Sequence, residues 1–167
     1  VPQKADSISN VDAVKEEQHQ AYMAAVRILG VREHNEYELR EKLQAKAYDE
    51  IVIDHVIELL KQYDYLSETR YAESFLRSRL RKGETPWLAA RKARQKGGDP
   101  IAIQVALEEA EHSFDAWQTC KDVLDKRDPA CLRKNDKRVW QRQLRYLQNK
   151  GFDMSTILQV MNNEEEE

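Results

Sequence analysis

The sequence predicts an all-α fold of three tandem three-helix repeats, and three observations carry that expectation. Breakers are scarce, with five glycines and four prolines in 167 residues, against 34% charged residues and a mean hydropathy of −0.81. Abundant Glu, Lys, Arg, Gln, Ala and Leu favour helix. Apolar residues recur at helical spacing, and strand-like alternation is absent beyond a few residues. Three helix ends of one kind, Lys46-Ala47-Tyr48, Lys96-Gly97-Gly98 and Lys150-Gly151-Phe152, stand 50 and then 54 residues apart. That period suits a unit of about three helices. Such units stack on their neighbours instead of around one centre, so an elongated molecule is expected.

Residues 1–16 lack sustained periodicity and read as a mobile N-terminal arm. The first repeat is placed at 17–64. Tyr22, Ala25, Val26 and Leu29 fall at i, i+3, i+4 and i+7 in its first helix. Asn35 with Glu38 three residues later resembles a capping box, in which the two side chains exchange bonds to free backbone N–H groups. Val52, Val56, Leu59, Leu60 and Tyr63 give its last helix an apolar stripe.

The second repeat is placed at 65–112. Thr85-Pro86 and Asp99-Pro100 each set a capping oxygen before a proline at the first helical position, where the missing N–H costs nothing. Ile103, Ala106, Leu107 and Ala110 share a face of its last helix. The third repeat is placed at 113–162, with Trp140, Leu144 and Leu147 as a buried stripe. Gly97 and Gly151, each following a lysine, are positioned to enter the left-handed conformation that ends a helix. Seven and three residues before the lysine stand Leu39 and Leu43, Ala89 and Ala93, and Gln143 and Leu147. Residues 163–167, with Glu164 to Glu167, read as an acidic, solubilising tail.

No apolar run approaches the ~18 residues a membrane span needs, and no secretory apolar region opens the chain. A cytoplasmic protein without membrane attachment is expected. Cys120 and Cys131 match no zinc spacing and read as ordinary thiols. No glycine-rich phosphate loop ends in Lys-Ser or Lys-Thr. His19, His34, His55 and His112 have no second histidine or cysteine three or four residues away, so a helical metal pair is missing. Cys120 lies eight residues after His112, about two helical turns, which is beyond hydrogen-bond reach for a thiolate–imidazole pair on one helix. The expectation is a non-enzymatic monomer with no catalytic residue, no metal and no cofactor.

The formal net charge of −3 conceals alternating blocks. Residues 1–69 carry −6, residues 70–96 carry +7, residues 97–132 carry −5, residues 133–150 carry +6 and residues 151–167 carry −5. Charge by segment, more than the total, decides which surfaces attract anionic partners. In 70–96, nine basic residues face only Glu73 and Glu84. Arg77, Arg81, Lys82, Arg91, Lys92, Arg94 and Lys96 are the candidate partner-binding residues there, while Arg70 and Arg79 can instead brace a neighbouring helix. Arg138, Arg142 and Arg145, at i, i+4 and i+7, form a second candidate stripe. Such faces suit phosphates or an acidic protein groove. Tyr71, Phe75, Trp87, Trp117 and Trp140 have rings able to stack on bases, but their helical spacing places them in the core. The rival to a protein-binding regulator is a helical-repeat module acting mainly on DNA.

The stretch from Tyr65 to Arg79, Tyr-Leu-Ser-Glu-Thr-Arg-Tyr-Ala-Glu-Ser-Phe-Leu-Arg-Ser-Arg with Gly83 shortly after, resembles the most characteristic segment of the RecX family of recombination regulators. Arg32-Glu33-His34 followed by Glu38-Leu39-Arg40-Glu41-Lys42-Leu43 is similar to the family's first repeat. Lys150-Gly151-Phe152 before Ile157 is similar to its last. The likeness covers about residues 18 to 162. Three departures stand out: Ala47 where the family has Gly, Ala89 and Ala93 where it has larger aliphatics, and the Gly97-Gly98 pair. The resemblance implies a curved, elongated protein of three three-helix repeats. It implies binding to the RecA recombinase in the groove of its filament on single-stranded DNA, with weak direct DNA binding possible. Filament extension would be blocked, lowering RecA ATP hydrolysis, strand exchange and co-protease activity in the SOS response.

Overall fold

The computed structural model describes residues 5–162. Among them lie nine α-helices and no strand: α1 Ala5–Leu29, α2 Glu36–Gln44, α3 Glu50–Gln62, α4 Glu68–Leu80, α5 Pro86–Gln95, α6 Pro100–His112, α7 Ala116–Arg127, α8 Lys137–Asn149 and α9 Met154–Asn162, with a 3-10 turn at Leu132–Lys134. This is an all-α repeat fold. Local chemistry sets the starts. Asn35 Oδ1 accepts from the Glu38 amide at 2.7 Å, Asp49 caps α3 through the Ile51 amide at 2.9 Å, and Asp99 takes the Ala102 amide at 2.8 Å. Each bond satisfies an amide with no partner inside its helix.

The described chain divides into two compact units. Unit 1 takes in the chain up to Ser74 together with Arg94–Ala102, and unit 2 takes in Phe75–Ala93 and the chain from Ile103 onward. The core of unit 1 is made by Ala21, Ala24 and Ala25 of α1, Leu39 and Leu43 of α2, Val52, Ile53, Val56, Ile57 and Leu60 of α3, and Leu66. Small alanines on α1 bring its backbone close to the bulky stripe of α3. In unit 2, Cys120 and Leu124 of α7 meet Leu147 of α8, Phe152, and Ile157, Val160 and Met161 of α9. Burying one such aliphatic side chain is worth about 1.5–3 kcal/mol.

The turns after α2, α5 and α8 share one geometry. Ala47, Gly97 and Gly151 all have positive φ, at 63°, 80° and 95°. The six positions seven and three residues before the lysine are all buried, including the two alanines, Ala89 and Ala93, and the polar Gln143. Asn35 Nδ2 donates to the Lys96 carbonyl at 2.9 Å, and the Thr85 amide donates to the Lys150 carbonyl at 2.9 Å. The start of a second helix in one repeat thus docks on the Lys-Gly turn of the next. Glu68 ties the first of these joints further, accepting from the Glu36 amide at 2.7 Å and the Asp99 amide at 2.9 Å.

Several expectations need correction. Residues 5–16, read as part of a mobile arm that lacks helical periodicity, are helical, because α1 begins at Ala5. Extending an existing helix adds a hydrogen bond per residue without a new nucleus, so no apolar stripe is needed there. Residues 1–4 and 163–167, with the rest of the expected arm and the acidic tail, lie outside the described residues. The capping box at Asn35 is one-sided: Glu38 turns away to Arg32 Nη1 at 2.8 Å. Tyr63 leaves the stripe of α3 because the helix ends at Gln62, and its ring is exposed. Trp87 is also half exposed, set edge-on to Phe114 with ring centres 6.0 Å apart. Tyr71 is buried as expected, while Trp117 and Trp140 lie half-buried against the unit 2 core.

Candidate partner-binding cleft

In unit 2 the end of α4 and one face of α7 enclose a cleft of about 630 Å³. Arg81, Lys82 and Gly83 leave α4 along one wall. Thr119, Asp122, Val123, Lys126 and Arg127 line the other, and Tyr146 of α8 closes it. The α7 residues recur at i, i+3, i+4 and i+7, so one face of a regular helix supplies that wall. Cys120 and Leu124, on the face turned to the core, hold it in place. Four cations therefore converge around a single carboxylate, Asp122.

Arg127 is held firmly. Its Nε donates to Gln143 Oε1 at 3.0 Å, and its guanidinium lies 3.8 Å from the centre of the Tyr146 ring. Lys150 Nζ stands 5.4 Å from the same ring and donates to the Lys82 carbonyl at 2.7 Å. Cation–ring contacts of this kind contribute about 0.5–1 kcal/mol at exposed sites. They hold a planar donor fork open to an anion, which a mobile lysine would not do. The Arg138, Arg142 and Arg145 stripe is exposed on α8. Arg142 is one turn from Tyr146, at i and i+4, so the stripe leads to the Tyr146 end of the cleft.

The ten candidate residues divide between the two units. Arg94 and Lys96 belong to unit 1, while Arg77, Arg81, Lys82, Arg91, Lys92, Arg138, Arg142 and Arg145 belong to unit 2. Lys92 is occupied, since its Nζ lies 2.7 Å from Oε1 of the buried Glu84. Arg79 shares that carboxylate at 3.6 Å and sits over the Phe75 ring at 5.4 Å. Lys96 lies 3.8 Å from Glu38. Arg70 is a brace, with Nε 3.0 Å from Glu33 and Nη1 2.9 Å from Asp64. Sequence reading missed Lys126, Arg127, Gln143 and Tyr146. The first two lie in a segment that is acidic overall, and only the phase of α7 turns them toward Arg81 and Lys82.

No three His, Cys, Asp or Glu side chains converge to hold a metal ion among the described residues. Both cysteines are free thiols. Burial of Cys120, with a smaller contribution from Asp153, pushes its pKa up to about 12, so it stays protonated near neutrality and cannot serve as a thiolate nucleophile. No helix among the described residues is long and apolar enough to cross a membrane.

Comparison with known proteins agrees over most of the chain. Residues 21–60 match the first three-helix domain of RecX, and residues 115–161 match its third. The regulatory protein RecX of Syntrophotalea carbinolica is 33% identical over 147 residues, covering 86% of this chain and 95% of that protein. The regulatory protein RecX of Halorhodospira halophila is 36% identical over 134 residues, covering 80% of this chain and 81% of that one. The fold agrees with a crystal structure of regulatory protein RecX at a TM-score of 0.73 and 20% identity, over 98% of this chain and 81% of that one. It also agrees with RecX from Lactobacillus salivarius at 0.69 and 19%, over 89% and 96%. Helix succession, repeated Lys-Gly turns and sequence identity thus converge, and the chain belongs to the RecX family of regulatory proteins.

Proposed function

We propose that this protein is a non-enzymatic regulator that binds RecA and its filament on single-stranded DNA. By blocking filament extension it would lower the ATPase, recombinase and co-protease activities of RecA, and so act on DNA repair and the SOS response. One observation carries this reading beyond the family: the cleft where Arg81 and Lys82 meet Lys126 and Arg127 around one carboxylate. A protein filament on a polyanion offers acidic and phosphate groups at regular intervals. A repeat protein that meets several of them gains through effective concentration, although each contact is modest. The contact face on this reading is Arg77, Arg81, Lys82 and Arg91 with Arg138, Arg142 and Arg145, joined by Lys126 and Arg127. The protein acts as a monomer in the cytoplasm, built from repeats 17–64, 65–112 and 113–162. The test is RecA ATPase on single-stranded DNA with substoichiometric amounts of the chain. Inhibition is expected, and none across a broad titration would overturn the proposal.

The same four cations favour a second reading, a helical module acting mainly on DNA. It requires tight binding to DNA in the absence of RecA, with a salt slope of about 0.7 per phosphate contacted on a single strand. Such binding together with unchanged RecA activity would decide for it.

A further inference from the structure

Unit 1 carries a second cleft, smaller and chemically unlike the first, at about 310 Å³. Its apolar lining is Ala24 and Ile28 near the end of α1, with Val31 just beyond the helix. Its rim is Arg27, Arg32, Lys42 and Lys46, and no carboxylate lines it. Arg32 is paired with Glu38, and no ion pair engages Arg27, Lys42 or Lys46 among the described residues. Val31 is 84% exposed, an apolar side chain left in water at the mouth. The remaining wall is His34, 2% exposed. Its Nδ1 lies 2.9 Å from the Arg32 carbonyl, and a carbonyl only accepts, so Nδ1 carries the proton. Nε2 then carries the lone pair and is itself buried, without a hydrogen-bond partner.

We propose that this cleft docks an acidic peptide segment of a partner protein, seating one apolar side chain on Ala24, Ile28 and Val31 between carboxylates held by Arg27, Lys42 and Lys46. Two features select this occupant. A rim of cations without acids calls for an anion. An apolar floor with exposed Val31 calls for a hydrocarbon side chain, which a phosphodiester chain lacks, and no Phe, Tyr or Trp lines the cleft for a base to stack on. The site is independent of the RecA reading, because it lies in unit 1 and its test uses the chain and synthetic peptides alone.

The experiment is fluorescence anisotropy of the full chain with a labelled Glu-Asp-Leu-Phe-Asp-Glu peptide. Comparisons are the same peptide with Ser-Ser at its centre, a hexaglutamate and a twelve-residue oligothymidine. Saturable binding of the first is expected, with about tenfold or greater weakening for the Ser-Ser peptide and for hexaglutamate. Lys42→Glu with Lys46→Glu, and separately Val31→Asp, should each weaken binding about tenfold. All three positions are exposed, so helicity by circular dichroism should be unchanged. Arg81→Glu, in the other unit, should leave peptide binding as it was. Absence of binding, or equal affinity for hexaglutamate, overturns the proposal. Tighter binding of the oligothymidine that is lost in the Lys42/Lys46 variant overturns it in favour of nucleic acid. Self-association abolished by Val31→Asp overturns it in favour of a second copy of this chain.

Discussion

The side-chain amide of Asn35 donates to the carbonyl of Lys96 across 2.9 Å, 61 residues away in sequence. Thr85 and Lys150 repeat the relationship through the Thr85 amide, at 2.9 Å. In both joints the residue after the lysine is a glycine pressed against the element that docks on it. A Cβ on Gly97 would lie 2.8 Å from Cγ of Tyr37, and one on Gly151 would run into Thr85 Oγ1 and come within 2.9 Å of Leu88 Cβ. Gly97→Ala and Gly151→Ala should therefore each destabilise the protein. The left-handed backbone alone costs about 1–2 kcal/mol, and displacement of the docked helix start adds to it. A lowered urea midpoint in both variants is the expected reading; unchanged midpoints would show that the turns dock loosely.

Ala47 supplies the opposite experiment. It holds φ at 63° in the corresponding turn after α2, so an L-side chain occupies a region where glycine is at ease. Among the described residues no hydrogen bond ties this turn to the start of another second helix, so a Cβ is tolerated here and not at 97 or 151. Ala47→Gly relieves the backbone cost but frees the unfolded chain, and the two effects leave a net gain of about 0.5–1 kcal/mol. Thermal unfolding should shift upward; a downward shift would mean that chain entropy outweighs the strain.

These turns also show why the fold was more legible than the site. The Lys46, Lys96 and Lys150 ends, with their prolines and capping oxygens nearby, are local signals, and local signals survive in one dimension. The same spacing aligned Leu39, Leu43, Ala89, Ala93, Gln143 and Leu147, and the fold buries all six, Gln143 with no apolar signal to announce it. Trp87 and Tyr63 did not follow, because the exposure of a ring near a helix end depends on where the helix stops. Charge was the least legible feature. Lys126 and Arg127 lie in an acidic segment, as do Arg27, Arg32, Lys42 and Lys46, yet each set lines a basic cleft once the helices turn the carboxylates elsewhere. Lys92 shows the reverse, a member of a basic run neutralised by Glu84 eight residues earlier.

The link between charge and stability is sharpest at Asp128 and Arg133, whose side chains are only 3% and 6% exposed and lie 3.2 Å apart. Burial alone would raise the Asp128 pKa. The amides of Arg133 and Leu132 and the Arg133 guanidinium outweigh it and hold the carboxyl below the usual aspartate value. A depressed folded-state pKa contributes stability that is complete above the unfolded value, about 3.9, and is lost as pH falls through the lower folded value. The wild-type protein should therefore keep this contribution at pH 5–7 and shed it below about pH 4. Asp128→Asn leaves a buried guanidinium without its counter-ion and should cost about 3 kcal/mol at pH 7. Urea unfolding of both proteins from pH 7 to pH 3 would show the difference narrowing toward acid. A constant difference would mean that the hydrogen bonds, and not the charge, account for the pairing.

The unit 2 cleft makes the final separation, between a residue that contacts a partner and one that holds the fold. Arg81 and Lys126 are exposed and make no ion pair among the described residues, so reversing both should leave the melting curve in place. If they meet the RecA filament, Arg81→Glu with Lys126→Glu should raise the concentration needed for half-inhibition of RecA ATPase about tenfold or more, since each reversal replaces attraction with repulsion. Lys92→Gln should behave differently. It removes the 2.7 Å partner of the buried Glu84, leaves that carboxylate to Arg79 alone, and should cost about 1–3 kcal/mol of stability. On the proposed function, below its lowered melting temperature it should still match the wild-type protein in the RecA ATPase assay. Wild-type inhibition by the Arg81/Lys126 variant would exclude the cleft as the contact, whereas strong loss of inhibition by a folded Lys92→Gln would move the contact toward α5.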